Sequence, residues 1–333
     1  MAFILKNSMA LPLRALTWLG SQGTRAIAAL VFIGIAVPPL GDLLKPFVTE
    51  AIFLLLCVSF MRVDVGALRD HLRRPAIVIA ATAWTTLAVP AIIGMIFHIG
   101  GLDARLPDLY LALMLQGVAS PMMAAPSLAA LMGLDATLVL VTLVTSTAIV
   151  PFTAPLFASI FFGTALTLSP SALGLKLAAI LTGSLLVAGA IRMFAGASAI
   201  ERHKLPIDGF NILVLLIFVA AVMGDVAGSL LADPRRMIGL AALAFAIFFL
   251  LAGITALIFR GFGRERALAL GLMVSQRNMG LMVAATDGVL PGTTWLYFAL
   301  SQFPIYLSPQ LLKPIVERLR AARVEAAAPV VDA

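Results

Sequence analysis

Long apolar runs alternate with short polar joins over almost the whole chain. Ten runs are long enough to cross a hydrocarbon layer of about 30 Å as helices. They lie at roughly 24–43, 47–64, 75–99, 106–132, 135–162, 172–194, 206–229, 236–260, 265–290 and 292–315. Ahead of them, residues 1–23 set Leu11, Leu13, Leu16, Trp18 and Leu19 among Lys6 and Arg14. This pattern predicts an interfacial segment, since no small-x-small cleavage site precedes a polar mature chain. Residues 316–333 turn polar and then Ala-rich, and are read as a disordered tail.

Two runs break the pattern. In the ninth, Gly271 to Leu290, four polar residues stand side by side: Ser275, Gln276, Arg277 and Asn278. Successive helix residues point about 100° apart, so no rotation hides four in a row from lipid. An arginine at the bilayer centre costs roughly 2.5–3.5 kcal/mol on insertion scales, so this stretch is expected to line a cavity. The fourth run, LQGVASPMMAAPSLAAL, carries Gly117, Pro121 and Pro126. Proline removes a backbone donor and crowds the preceding turn, so a kink or an unwound stretch is expected there. The fifth and tenth runs rhyme through Ser146, Pro151 and Pro155 against Ser301, Pro304 and Pro309.

Composition agrees with a polytopic α-helical membrane protein. The 333 residues are 62% hydrophobic and 12% charged, far from the balance of a soluble domain. With ten spans, seventeen of the 23 basic residues fall on one side and five on the other, leaving Arg277 inside a span. That bias puts both termini in the cytoplasm, in a multi-pass protein of the inner (cytoplasmic) cell membrane. The net charge of +7 is then a property of cytoplasmic loops and calls for no nucleic acid. Ten spans divide into a first repeat, 24–162, and a second, 172–315. An odd number per half makes the halves run in opposite senses, the inverted-repeat plan of many transporters.

Interrupted helices in matching positions of two halves point to a transport site, because their freed backbone groups need partners at mid-membrane. The candidate substrate-binding set joins Gln116, Ser120 and Ser127 of the fourth span with Ser275, Gln276, Arg277 and Asn278 of the ninth. Thr142, Thr145, Ser146 and Thr147 of the fifth are candidates for a wall. Each hydroxyl also has a plainer use, bonding its own helix or gluing two together. Three readings of Arg277 are open. It is a structural cation held by carbonyls at broken helix ends, or it holds a substrate's anionic group bidentately, or it lies outside the membrane and the ninth span is miscounted. Asp287 is the nearest acid in the same span, but ten residues of straight helix put it about 15 Å away. No HExxH, nucleophile elbow or Walker motif is present, so an enzyme fits poorly. No cofactor is called for.

The segment ASPMMAAPSLAALMGLDATLVLVTLVTSTAIVPFTAPL and the ninth-span QRNMGL resemble the bile acid:sodium symporter family, over residues 25 to 315. The resemblance implies an all-α fold of ten transmembrane helices in two inverted five-helix repeats. It also implies a panel domain from spans 1, 2, 6 and 7, a core domain from 3–5 and 8–10, and fourth and ninth helices that are broken and cross at the ion and substrate sites. Transport there is by alternating access, typically sodium-driven uptake of organic anions. The family's sodium positions fall here on Pro126 and Ser127, on Val139 and Leu143, on Met273, and on Arg277 and Asn278. Only Ser127 and Asn278 among these could serve as metal ligands with their side chains, and a guanidinium repels a cation.

The leading reading is therefore a secondary transporter of a small organic anion in which Arg277 replaces a bound cation. The coupling ion is open between sodium and a proton. A sodium-coupled symporter and an efflux carrier are the alternatives within transport. A non-transporting membrane scaffold or sensor is the alternative outside it. The partners expected are the anion and the lipid bilayer.

Overall fold

The computed structural model describes residues 2–22, 33–63, 75–163, 166 and 168–327. Part of the first expected span and the basic residues Arg25, Arg69, Arg73 and Arg74 lie outside the described residues. The helices that carry the architecture are α1 (Ala2–Gln22), α2 (Pro38–Leu44), α3 (Val48–Met61), α4 (Pro75–Ile99), α5 (Pro107–Val118), α6 (Ala125–Leu131), α7 (Ala136–Phe162), α8 (Pro170–Ala195), α9 (Lys204–Ala232), α10 (Pro234–Ile258), α11 (Arg264–Ser275), α12 (Met279–Ala285) and α13 (Gly292–Ala327).

Their starts follow from local chemistry. Proline stands in the first turn of α2, α5, α8 and α10, where its missing N–H has no helical use. Asp135 caps α7 by accepting from Leu138 N at 2.9 Å, and Asp233 caps α10 by accepting from Arg236 N at 3.0 Å.

Among the described residues, six stretches are long and apolar enough to cross a bilayer: Pro38–Met61, Pro75–Ile99, Ala136–Phe162, Pro170–Ala195, Lys204–Ala232 and Pro234–Phe262. Large apolar side chains such as Phe152, Leu175, Phe194 and Leu257 are exposed on the outside of the bundle, a surface suited to lipid. This is the make-up of an all-α membrane protein. The fourth and ninth runs are absent from the six because each is split into two short helices, α5 with α6 and α11 with α12.

Pro38–Met61 is not one straight rod. Gly34 lies against Val219–Met223 of α9 and Gly41 against Gly224, so this stretch runs parallel to α9. Lys45 then pairs with Asp225 at 3.0 Å, and Arg62 pairs with Asp208 at 2.7 Å, so α3 runs antiparallel to α9. The chain therefore reverses at the tight turn Lys45–Phe47, where Pro46 interrupts the helix.

Side-chain links close the two ends of the bundle. Lys45–Asp225, Lys176–Asp287 and the chain from Arg236 through Thr293 to Asp108 sit at one end. Arg62–Asp208, Arg266–Asp135 and Arg192, which donates to the Met61 and Val63 carbonyls, sit at the other.

Both ends of the described chain are helical. Residues 2–22 form a helix laid against the start of α9, with Gly20 facing the Leu205 carbonyl and Gly209 facing the Leu16 backbone. The stretch read as a disordered tail continues α13 to Ala327. Its sequence ERLRAARVEAA is built of strong helix formers, which carry the helix past the apolar span.

Candidate functional site

The two broken helices meet at their breaks. Pro121 and Arg277 face each other as an isolated antiparallel β-bridge. Asn278 N donates to Ser120 O at 2.8 Å, and Met122 N donates to Gln276 O at 2.8 Å. Four backbone groups freed by the breaks thus satisfy one another, as a low-dielectric interior requires. Pro121 occupies the bridge position whose own N–H would point away from the partner strand, so its missing donor is not felt. Pro126 falls in the first turn of α6, again a tolerated place. The break therefore spans Ala119–Ala124, with Pro121 inside it and Pro126 already in the following helix.

Arg277 is 1% exposed and is the largest fully buried side chain among the described residues. This burial puts Arg277 in the interior of the helical bundle. Its Nη1 donates to Ala119 O at 2.9 Å and to Thr85 O at 3.2 Å. Both carbonyls are available for local reasons. Ala119 ends α5 with an extended ψ of 146°, which turns its carbonyl away from the helix ladder. Thr85 is the second residue of the π-helical stretch Trp84–Ala88, where Val89 N reaches back to Trp84 O, five residues away. The next residue, Pro90, has no N–H to offer. Thr85 O is left without the usual donor, and Arg277 supplies one.

The rest of the guanidinium is unused. Nε and Nη2 have no hydrogen-bond partner, and no acid pairs with Arg277 among the described residues. These two nitrogens form one edge of the planar fork, the edge that takes a carboxylate side-on with two parallel N–H bonds. Asp287 is no counter-ion: it sits at the end of the bundle, paired with Lys176.

The other predicted residues divide into three groups. Ser120, Gln276 and Asn278 are brought to the crossover with Arg277. Ser120 Oγ and Gln276 Oε1 are buried without partners among the described residues, while Gln276 Nε2 donates to Ser308 Oγ at 2.8 Å. Asn278 Oδ1 caps α12 by accepting from Leu281 N at 3.2 Å. Gln116 and Ser275 are buried but spoken for. Tyr297 Oη donates to Gln116 Oε1 at 2.6 Å, and Ser275 Oγ donates to Leu272 O in its own helix. Ser127 stands apart, exposed on α6. On α7, which packs on α6 and α11, Thr142, Ser146 and Thr147 are buried with unpartnered hydroxyls. Thr145 is shared with Thr82 at 2.7 Å. Val139, Leu143 and Met273 are buried and offer no oxygen ligand from their side chains.

Three participants were not visible in the sequence. Thr85 enters through a backbone carbonyl, which no side-chain pattern reports. Pro90, five residues later, is the one local signal for it. Tyr297 and Ser308 come from α13 and needed its packing against α5. A cleft of about 490 Å³ also opens between α2, α9 and the start of α13, lined by Lys45, Asp225, Gly288 and Trp295. Lys45 Nζ lies 5.1 Å from the Trp295 ring centroid there.

A scan against protein-family models and a search of curated proteins found no match to this chain.

Proposed function

We propose that the protein is a secondary transporter of a small organic anion, working by alternating access, with Arg277 holding the anion. One observation carries the reading: a fully buried guanidinium, with two adjacent donors unused and no acidic partner among the described residues, at the meeting point of two broken helices. An uncompensated buried arginine is expensive, and an anion on its free edge would relieve that expense.

The architecture proposed is ten spans in two inverted five-helix repeats. Three features support it. α4, α5 and α7 begin at residues 75, 107 and 136, while α10, α11 and α13 begin at 234, 264 and 292, a nearly constant offset. The crossover bonds are symmetric about Pro121 and Arg277. Each inter-helix ion pair joins residues that a ten-span alternation puts on the same side of the membrane. The sequence resemblance to the sodium symporters adds the panel-and-core division. The inner membrane, with both termini cytoplasmic, is the proposed location.

Sodium is not part of the proposal. Arg277 Nη1 rests on two carbonyl oxygens of the kind a metal ion would seek, so a tethered cation takes that place. The test is uptake into liposomes of the carboxylate or sulfonate that most raises the thermal stability of the purified protein. Uptake is expected to persist when choline replaces sodium. A strict sodium requirement would sink the sodium-free mechanism, and ligand-induced stabilisation without flux would replace transport with a sensor.

A further inference from the structure

We propose that this protein is an exchanger of monovalent anions: it reorients readily only with one carboxylate on Arg277, and so swaps anions instead of running net flux. The inference rests on the transport reading above and specifies what moves and in what ratio.

Among the described residues, Arg277 is the only charged side chain in the buried set; the others are Ser, Thr and Gln. The empty site therefore holds one net positive charge in a poorly polarisable interior. Partial compensation comes from the Ala119 and Thr85 carbonyls and from the C-terminal ends of α5 and α11, which end at the crossover. Those are dipoles and do not remove the charge. One monovalent carboxylate does. Its two oxygens match the two orphaned donors, Nε and Nη2, and leave no further cationic site for a second carboxylate. A dianion on the same edge would leave a net negative charge among hydroxyls and so restore the problem with the opposite sign.

Alternating access must move this site from one side's water to the other's. With a monoanion bound, the moving unit is neutral there. Empty, it carries a charge through the hydrocarbon and through the membrane potential. The empty return is then the slow step of any net cycle, and exchange bypasses it. The sign follows. In net uptake, the empty carrier returns a positive charge outward, so an inside-negative potential opposes it.

The experiment uses the full-length protein in liposomes, with radiolabelled lactate, pyruvate and 3-hydroxybutyrate as probes. One set of liposomes is loaded with the same unlabelled anion and another with sulfate. Uptake into anion-loaded liposomes is expected to exceed uptake into sulfate-loaded ones by about tenfold or more, given what an uncompensated charge costs in the bilayer. An inside-negative potassium diffusion potential is expected to slow the sulfate-loaded uptake and to leave exchange unchanged. Arg277→Gln, which has no charge to neutralise, is expected to lose the difference between the two loadings. Equal uptake in both loadings would overturn exchange while leaving transport standing. Equal exchange with succinate would overturn the monovalent rule. No uptake of any probe in either loading would overturn the transport reading, and exchange with it.

Discussion

Arg277 Nη1 donates to the carbonyl oxygen of Ala119 at 2.9 Å, so a cation from one broken helix closes the C-terminal end of the other. A cation suits that end, because the last carbonyls of α5 carry the negative pole of its dipole. The same contact fixes which guanidinium edge stays free. With Nη1 turned to Ala119 and Thr85, Nε and Nη2 face away from both carbonyls and lack partners among the described residues. Structural anchoring and anion binding are therefore not rival uses of Arg277. One nitrogen does the first and the opposite edge is left for the second.

That division predicts how Arg277 variants behave. Arg277→Lys keeps the charge but has no planar edge, and one ammonium cannot serve two carbonyls and a carboxylate together. Arg277→Gln removes the charge and leaves at least one carbonyl unpaired, at about 1–3 kcal/mol, offset by relief of the buried cation. Both variants are expected to weaken anion-dependent thermal stabilisation at least tenfold in ligand concentration, while melting in the absence of anion shifts little. Equal losses of stability and binding would reduce Arg277 to a structural cation.

Helix contact between α2 and α9 gives a separate test. A Cβ on Gly41 would stand 2.6 Å from Gly224 Cα, closer than backbone can yield without the helices parting. Close backbone approach through small residues is a main source of helix association in lipid. Gly41→Ala is expected to destabilise by about 1–3 kcal/mol, as overpacking does. Gly228→Ala meets nothing within 4 Å and is expected to be neutral or slightly stabilising. Thermal unfolding in detergent separates the two, and equal melting would show that the α2–α9 contact is looser than described.

Much of this fold was legible because hydrocarbon imposes few solutions. The apolar runs, the prolines at helix starts and the broken fourth and ninth runs follow from solvation and from the missing proline N–H. The polar stretch Ser275–Asn278 announced the crossover, since no helix could carry it in lipid. Sequence was less informative about how the breaks engage. Backbone bonds such as Asn278 to Ser120 and Arg277 to Thr85 depend on which helices become neighbours, over separations that no local pattern encodes. Ser127 shows the limit of local signals from the other direction. Its place beside Pro126 suggested the crossover, yet the break lies earlier and α6 leaves it exposed.

The buried pair Tyr297 and Gln116 ties α13 to α5 just before the break. Tyr297→Phe leaves the Gln116 acceptor without its donor in a site with no exposed surface. A loss of about 1–3 kcal/mol is expected in thermal unfolding. Tyr297→Phe combined with Gln116→Leu removes both polar groups and is expected to recover part of the loss. If the double variant melts lower than the sum of the single ones, the pair is not an isolated bond.

The π-helical stretch of α4 offers the most selective handle on Arg277. Thr85 O is free because Val89 N bonds Trp84 O and Pro90 has no N–H. Pro90→Ala supplies a backbone donor inside that turn, at a residue 5 positions after Thr85, and removes the ring that forbids regular helix. The turn is then free to close on itself, and Thr85 O gains a competitor for Arg277 Nη1. Proline-to-alanine change inside a helix also raises helix propensity, so the melting temperature is expected to hold or rise. Anion-dependent stabilisation is expected to fall, because a guanidinium held by Ala119 alone is less fixed in orientation. A stable protein with weakened anion binding would show that the π-turn positions Arg277. Unchanged binding would show that Ala119 suffices and that the turn serves the packing of α4 instead.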